Sequence, residues 1–153
     1  MVPDAVRAFT ADQPLIVRNP AAIRPWQYIL DPLRGYARLA EHLWDRPADA
    51  AAFNFGPPPD HELDVRTIVQ SFAREWGGPA RWQAAKDLQF VEAPSLRLDS
   101  TRAQKTLGWR AMVPIQTALA RSAAWYREFY AGSDAAQLMH DQISAYEAAP
   151  AAP

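Results

Sequence analysis

Val65, Ile68, Val69, Phe72 and Trp76 stand at i, i+3, i+4, i+7 and i+11, with Asp64 ahead of them and Gly77-Gly78 behind. That spacing gathers the apolar side chains on one stripe of a helix, and a stripe so continuous needs a covering partner. Asp64 suits the N-cap, where a carboxylate accepts from orphan backbone N–H groups, and the glycine pair suits the exit. The chain must therefore build a core around this helix from its other segments.

Those segments read in order. Val2, Val6 and Phe9 predict a short opening helix, stopped by Asp12-Gln13-Pro14, and residues 15–18 predict a strand. Asn19-Pro20 marks a turn before a second extended piece at 23–28, which Pro25, lacking an N–H, confines to an edge. Pro32 fits the first turn of a helix whose apolar positions Leu33, Tyr36, Ala40, Leu43 and Trp44 run up to Pro47. Residues 51–56 read as a short buried strand ended by Gly56 and three prolines, and residues 81–84 and 95–99 read as further strands. Ser100 is placed to cap a helix at 101–107, closed by Gly108 in the left-handed position. Residues 115–130 form a long helix with Ile115, Leu119, Ser122, Tyr126 and Phe129 on one face, and Met139, Ile143 and Tyr146 mark a last one. The fold class is α+β and mainly helical, with one domain over 1–147 and a disordered Ala/Pro tail at 148–153.

Composition excludes several functions. With 17 acidic against 16 basic residues there is no charge excess to attract nucleic acid or a membrane surface. The absence of cysteine excludes a disulfide framework, a thiolate nucleophile and a sulfur-ligated zinc site. No stretch approaches the roughly 18 apolar residues of a membrane span, and no basic segment followed by an apolar run opens the chain, so a cytoplasmic location is expected. His42, His61 and His140 have no i, i+4 partner for a metal site. Asp60, Glu62 and Asp64 form an acidic patch that compensation of a helix N-terminus explains.

The motifs carry more. Ile16-Val17-Arg18-Asn19-Pro20, then Arg24-Pro25-Trp26-Gln27, then Asp31-Pro32-Leu33 with Gly35-Tyr36, resemble the run seen in the CDP-glucose 4,6-dehydratases, extended short-chain dehydrogenases. Phe53-Asn54-Phe55-Gly56-Pro57, Leu96-Arg97-Leu98-Asp99, Leu107-Gly108-Trp109 and Trp125-Tyr126 continue the likeness, which runs from residue 2 to about residue 146. The resemblance implies the small substrate-binding domain of such an enzyme, with a few short strands and without the Rossmann half that holds NAD. In the complete family enzyme NAD takes a hydride from the sugar C4, water leaves across C5 and C6, and the hydride returns to C6.

The residues for that chemistry are absent from this chain. Its six glycines, at 35, 56, 77, 78, 108 and 132, fit no dinucleotide-binding fingerprint, and the residues four before Lys86 and Lys105 are Trp82 and Thr101 rather than the family's tyrosine. No catalytic residue and no cofactor site is therefore assigned. Recognition remains. The resemblance makes Arg24 a contact to the diphosphate of a nucleotide sugar, for which a guanidinium fork is suited. Trp26 and Gln27 either flank the nucleotide or pack the sheet, and the Asn54 amide either meets a ligand or satisfies a turn. One departure is that Val91-Glu92-Ala93-Pro94 replaces the family's usual His-Glu-Ala-His. Three classes stay open: the nucleotide-sugar portion of a dehydratase that needs a Rossmann partner, a free-standing CDP-hexose-binding module, and an interaction domain that self-associates into a homo-oligomer.

Overall fold

A computed structural model describes residues 1–86 and 93–149. Helix α1 (Val2–Thr10) leads into β1 (Leu15–Val17) and β2 (Ile23–Pro25); α2 (Leu30–Asp45) follows, then a 3-10 turn at Pro47–Asp49. A second such turn at Pro59–His61 precedes β3 (Glu62–Asp64), α3 (Val65–Trp76) and β4 (Trp82–Ala84). Three helices complete the chain: α4 (Thr101–Leu107), α5 (Ile115–Tyr130) and α6 (Ala135–Glu147). The fold is α+β and mainly helical, as the patterns imply.

The α3 stripe is the centre of the core. Ile68, Val69 and Phe72 are fully buried, packed with Val6 and Phe9 of α1 and with Ile115, Leu119 and Ala123 of α5. Phe72 and Trp76 lie 6.1 Å apart between ring centroids, and Phe9 stacks on Phe72 at 6.3 Å. Both ends of α3 are capped as the sequence dictates: Asp64 Oδ1 accepts from Thr67 N at 2.7 Å, and Gly77 takes a positive φ. Arg127 of α5 donates to the last carbonyls of α3, those of Glu75 and Trp76, where a cation complements the helix dipole.

The strands form two small sheets. β1 pairs in parallel with β4, Ile16 opposite Gln83, and β2 pairs antiparallel with β3, Arg24 opposite Leu63. β3 lies in the acidic loop where the sequence suggested no strand. Two expected strands are absent. Residues 95–99 make only a single β-bridge, Ser95 to Ile23, because Pro25 has no N–H with which to extend that ladder. Residues 51–56 find no strand beside them among the described residues and stay irregular.

Two further expectations change. The Ser100 side chain does not cap α4; Asp99 accepts from Thr101 N at 2.9 Å instead, and Ser100 Oγ accepts from Gly56 N at 2.7 Å. Gly108 does close α4 at φ 59°. Helix α2 forms where expected but turns its other face inward: Asp31 and Gly35 are buried, whereas Leu33, Tyr36 and Trp44 are 48%, 57% and 88% exposed. Gly35 is required there, because a Cβ would collide with the Phe55 ring. On α6, Tyr146 is buried while Met139 and Ile143 remain exposed. The expected tail lies largely outside the described residues.

Candidate anion cleft

The segment between β1 and α3 builds a cleft of about 220 Å³, lined by Arg18, Asn19, Arg24, Trp26 and Val65, with α1 at its margin. β1 ends at Val17, so the next two residues, Arg18 and Asn19, project at the strand end. Arg24 occupies the middle of β2, and its place is fixed by the ladder to Leu63. Its Nη1 donates to the Ile23 carbonyl at 2.8 Å and to the Ala93 carbonyl at 3.0 Å, which draws the guanidinium across the sheet edge. Trp26 is half-buried against the main core and spends its indole N–H on the Leu63 carbonyl at 2.9 Å, so it packs the sheet while one part of the ring faces the cleft.

Charge decides what such a cleft can hold. Two guanidinium groups six residues apart face it. The lining carboxylate, Asp4, is already engaged by the amino terminus at 3.1 Å and by Arg7, which together hold it below the usual carboxylate range. For an anion with several oxygens, the arginine fork provides paired donors. The nearby N-terminus of α3 is not the anion site, because the Asp64 carboxylate occupies it and is itself held low by Thr67, through its side chain first and then its backbone N–H.

Of the residues singled out from sequence, the structure brings Arg24 and Trp26 together and sets Gln27 and Asn54 apart. Gln27 Nε2 donates to the Phe55 carbonyl at 2.7 Å, and Asn54 Nδ2 donates to the Asp99 carbonyl at 3.3 Å. Both amides tie the 51–56 segment to its surroundings, and neither lines the cleft. Val91 and Glu92 lie outside the described residues. Arg18 is the residue that sequence reasoning passed over as the last position of the predicted strand 15–18. Its signal was the repeat of arginine before and after a single Asn-Pro turn.

A second omission is Asp31, which is 0% exposed and organises the far end of the same segment. Its carboxylate accepts from Met112 N at 2.8 Å, Val113 N at 3.3 Å and the Tyr146 hydroxyl at 2.8 Å. Its carbonyl takes the Trp109 indole N–H at 2.9 Å. A buried charge persists only when donors surround it in this way. Burial, and then the bond to Asp31, push the Tyr146 phenol up to about 12. Residues 24–31 are thus pinned by the sheet at one end and by this carboxylate at the other.

Among the described residues no glycine turn is shaped for a dinucleotide. The described glycines with positive φ, at 77, 78, 108 and 132, follow helices, and no described strand runs through a glycine turn into a helix. Among the described residues no group of three or more His, Asp or Glu side chains could hold a metal ion. No described helix is long and apolar enough to cross a membrane.

No family model matches the chain. In sequence it is 34% identical over 150 residues to the CDP-glucose 4,6-dehydratase of Salmonella typhimurium, a match over 97% of this chain and 42% of that protein. In fold it is similar to the UDP-glucose 4-epimerase of Stenotrophomonas maltophila, solved with NAD and formylated UDP-arabinopyranose (TM-score 0.73, 13% identity, 86% of this chain and 40% of that one). The UDP-glucuronic acid 4-epimerase of Bacillus cereus, solved with a UDP-sugar and NAD, gives a TM-score of 0.70 at 18% identity, over 84% of this chain and 40% of that one. The chain therefore spans well under half the length of the relatives it matches.

Proposed function

We infer that this chain, a relative of part of CDP-glucose 4,6-dehydratase with a fold found in the extended nucleotide-sugar epimerases, supplies the nucleotide-sugar-binding portion of a CDP-glucose 4,6-dehydratase-like enzyme. The observation that carries this reading is the convergence of Arg18, Arg24 and Trp26 on one cleft, within the stretch whose motifs resemble the dehydratases. Arg24 takes the diphosphate, Arg18 shares its charge, and Trp26 offers ring surface to the nucleotide. Gln27 and Asn54 shape the site indirectly by fixing the neighbouring chain.

Size limits what the chain does alone. Pockets that enclose a drug-sized ligand run to about 300–1,000 Å³, and a cleft of about 220 Å³ covers only part of a sugar nucleotide. The remaining walls, the NAD and the groups that move protons and hydride belong to a second, Rossmann-type half. The isolated chain is expected to bind CDP-glucose weakly and to show no turnover.

Calorimetry with CDP-glucose tests this. Addition of a cofactor-binding half should strengthen binding, and Arg24→Ala should weaken it by about 10- to 100-fold, the loss of a hydrogen-bonded ionic contact. Tight binding by the lone chain would favour a free-standing module instead. Turnover by the lone chain, or indifference to Arg24→Ala, would refute the reading. Self-association is a second reading, favoured by the exposed Leu33, Tyr36 and Trp44; a strict monomer at high concentration in sedimentation would count against it.

A further inference from the structure

We propose that the α5–α6 hairpin is a homodimer contact, in which two copies of this chain lay α5 antiparallel on α5 about a two-fold axis between Ala124 and Trp125. The contact adds to the nucleotide-sugar reading and does not depend on it, since its groove shares no lining residue with the anion cleft.

α6 folds back on α5 through residues 131–134, and Gln142 Nε2 donates to the Arg121 carbonyl at 3.2 Å. Between the two helices runs an almost wholly apolar groove of about 250 Å³. Its α5 wall is Arg121, Ala124, Trp125 and Glu128, spaced i, i+3, i+4 and i+7. Leu138, Gln142 and Ala145 face them from α6 at i, i+4 and i+7. Such spacing makes the ridge and groove by which one helix receives another. The core does not use it. The buried residues of α5 are Ile115, Ala118, Leu119 and Ala123, and α6 buries Tyr146 alone. Trp125 stacks on Phe129 at 5.3 Å between centroids, and Phe129 is exposed, so ring surface runs on beyond the groove.

Symmetry and charge select a second copy as the occupant. In an isologous contact residue i meets j and j meets i, so the stripe must complement its own reversal. Reversed about the point between positions 124 and 125, α5 sets Arg121 opposite Glu128 of the second copy and Ala124 opposite its Trp125, each pairing occurring twice. Cation meets carboxylate, and a large ring meets a small side chain. An unrelated partner would impose no such reversal. Among the described residues neither charge meets an opposite one within its own chain: the Arg121 guanidinium lies 5.7 Å from the centroid of the Tyr28 ring, and Glu128 accepts from the Ser133 hydroxyl at 3.3 Å. Glu128 also stands in the last turn of α5, where the helix dipole disfavours a carboxylate and a cation from outside relieves it. Two helical hairpins joined in this way make a four-helix arrangement.

Sedimentation equilibrium of the 153-residue chain over a range of concentrations tests the proposal, and a reversible monomer–dimer equilibrium is expected. Ala124→Glu, at an exposed position beside the axis, should weaken the dimer at least about tenfold while circular dichroism stays that of the parent. Arg121→Glu and Glu128→Arg should each weaken it about three- to tenfold, and the two together should restore it to within about threefold of the parent. A fault in folding caused by one substitution would not be undone by the other. Leu33→Asp with Tyr36→Asp, on the α2 stripe, and Arg24→Ala, in the cleft, should leave the dimer intact. Loss of CDP-glucose binding and loss of the dimer are therefore read separately, and either can fail without the other. A strict monomer, a dimer indifferent to Ala124→Glu, absence of rescue in the double charge swap, or dissociation by the α2 pair would overturn the proposal.

Discussion

Helices α2 and α3 carry apolar stripes of similar spacing, and only one of them is covered. In α3 the stripe of Ile68, Val69 and Phe72 lies at the centre of the core. In α2 the stripe of Leu33, Tyr36 and Trp44 faces water, and the helix instead buries Asp31 and Gly35. Periodicity thus reports that a helix has something to hide, not from which polypeptide the cover comes. The contrast also separates two kinds of stabilisation: apolar packing dominates at α3, whereas α2 combines the packing of Leu30 and Leu39 with the buried Asp31 carboxylate, the close Gly35–Phe55 contact and Arg34 and Arg38 bonds to carbonyls of residues 107–110.

Removing the fully buried ring of α3 tests its side of the comparison. Phe72→Ala should destabilise the chain by about 3–5 kcal/mol, read as a shift in denaturation midpoint; a loss below about 1 kcal/mol would mean the core is not centred there. An intermediate effect belongs to the carboxylate that holds α2. Tyr146→Phe should cost about 1.5–3 kcal/mol, as a hydrogen bond to a charged group is removed. The same variant has a pH signature. The folded phenol is pushed up to about 12 whereas the unfolded one ionises near 10, so the unfolded state loses its proton first. Its contribution is complete below about pH 10 and disappears as pH rises towards about 12. Alkaline unfolding curves should therefore flatten in Tyr146→Phe. The smallest effect is expected on the α2 stripe: Trp44→Ala, at an 88% exposed position, should change the stability of the lone chain by no more than about 0.5 kcal/mol. A large loss there would erase the comparison.

Local signals were legible where the chain answers to itself. The capped α3, the opening helix, the long α5 and the Gly108 exit follow from spacing, caps and φ preferences that neighbours in sequence determine. Strands were less so, since residues 51–56 and 95–99 have the right side chains but lack the neighbouring strand that would make them one. The Ser100 side chain was diverted from capping α4 by a distant backbone, that of Gly56. In the cleft, Arg24 and Trp26 were found from motif, while Arg18 was missed because its place at the end of a strand explained it. Asp31 was missed for a different reason: its donors come from residues 112, 113 and 146, and nothing local to Asp31-Pro32 announces them.

The Asp31–Tyr146 hydrogen bond joins residues 115 positions apart. During synthesis the carboxylate leaves the ribosome 115 residues ahead of its phenol partner. A contact of such long range adds to contact order and closes late. The Asp31 end of the arginine-bearing segment therefore gains this anchor late, and a nascent polypeptide stalled before α6 would hold its recognition strand by the β2–β3 ladder without it.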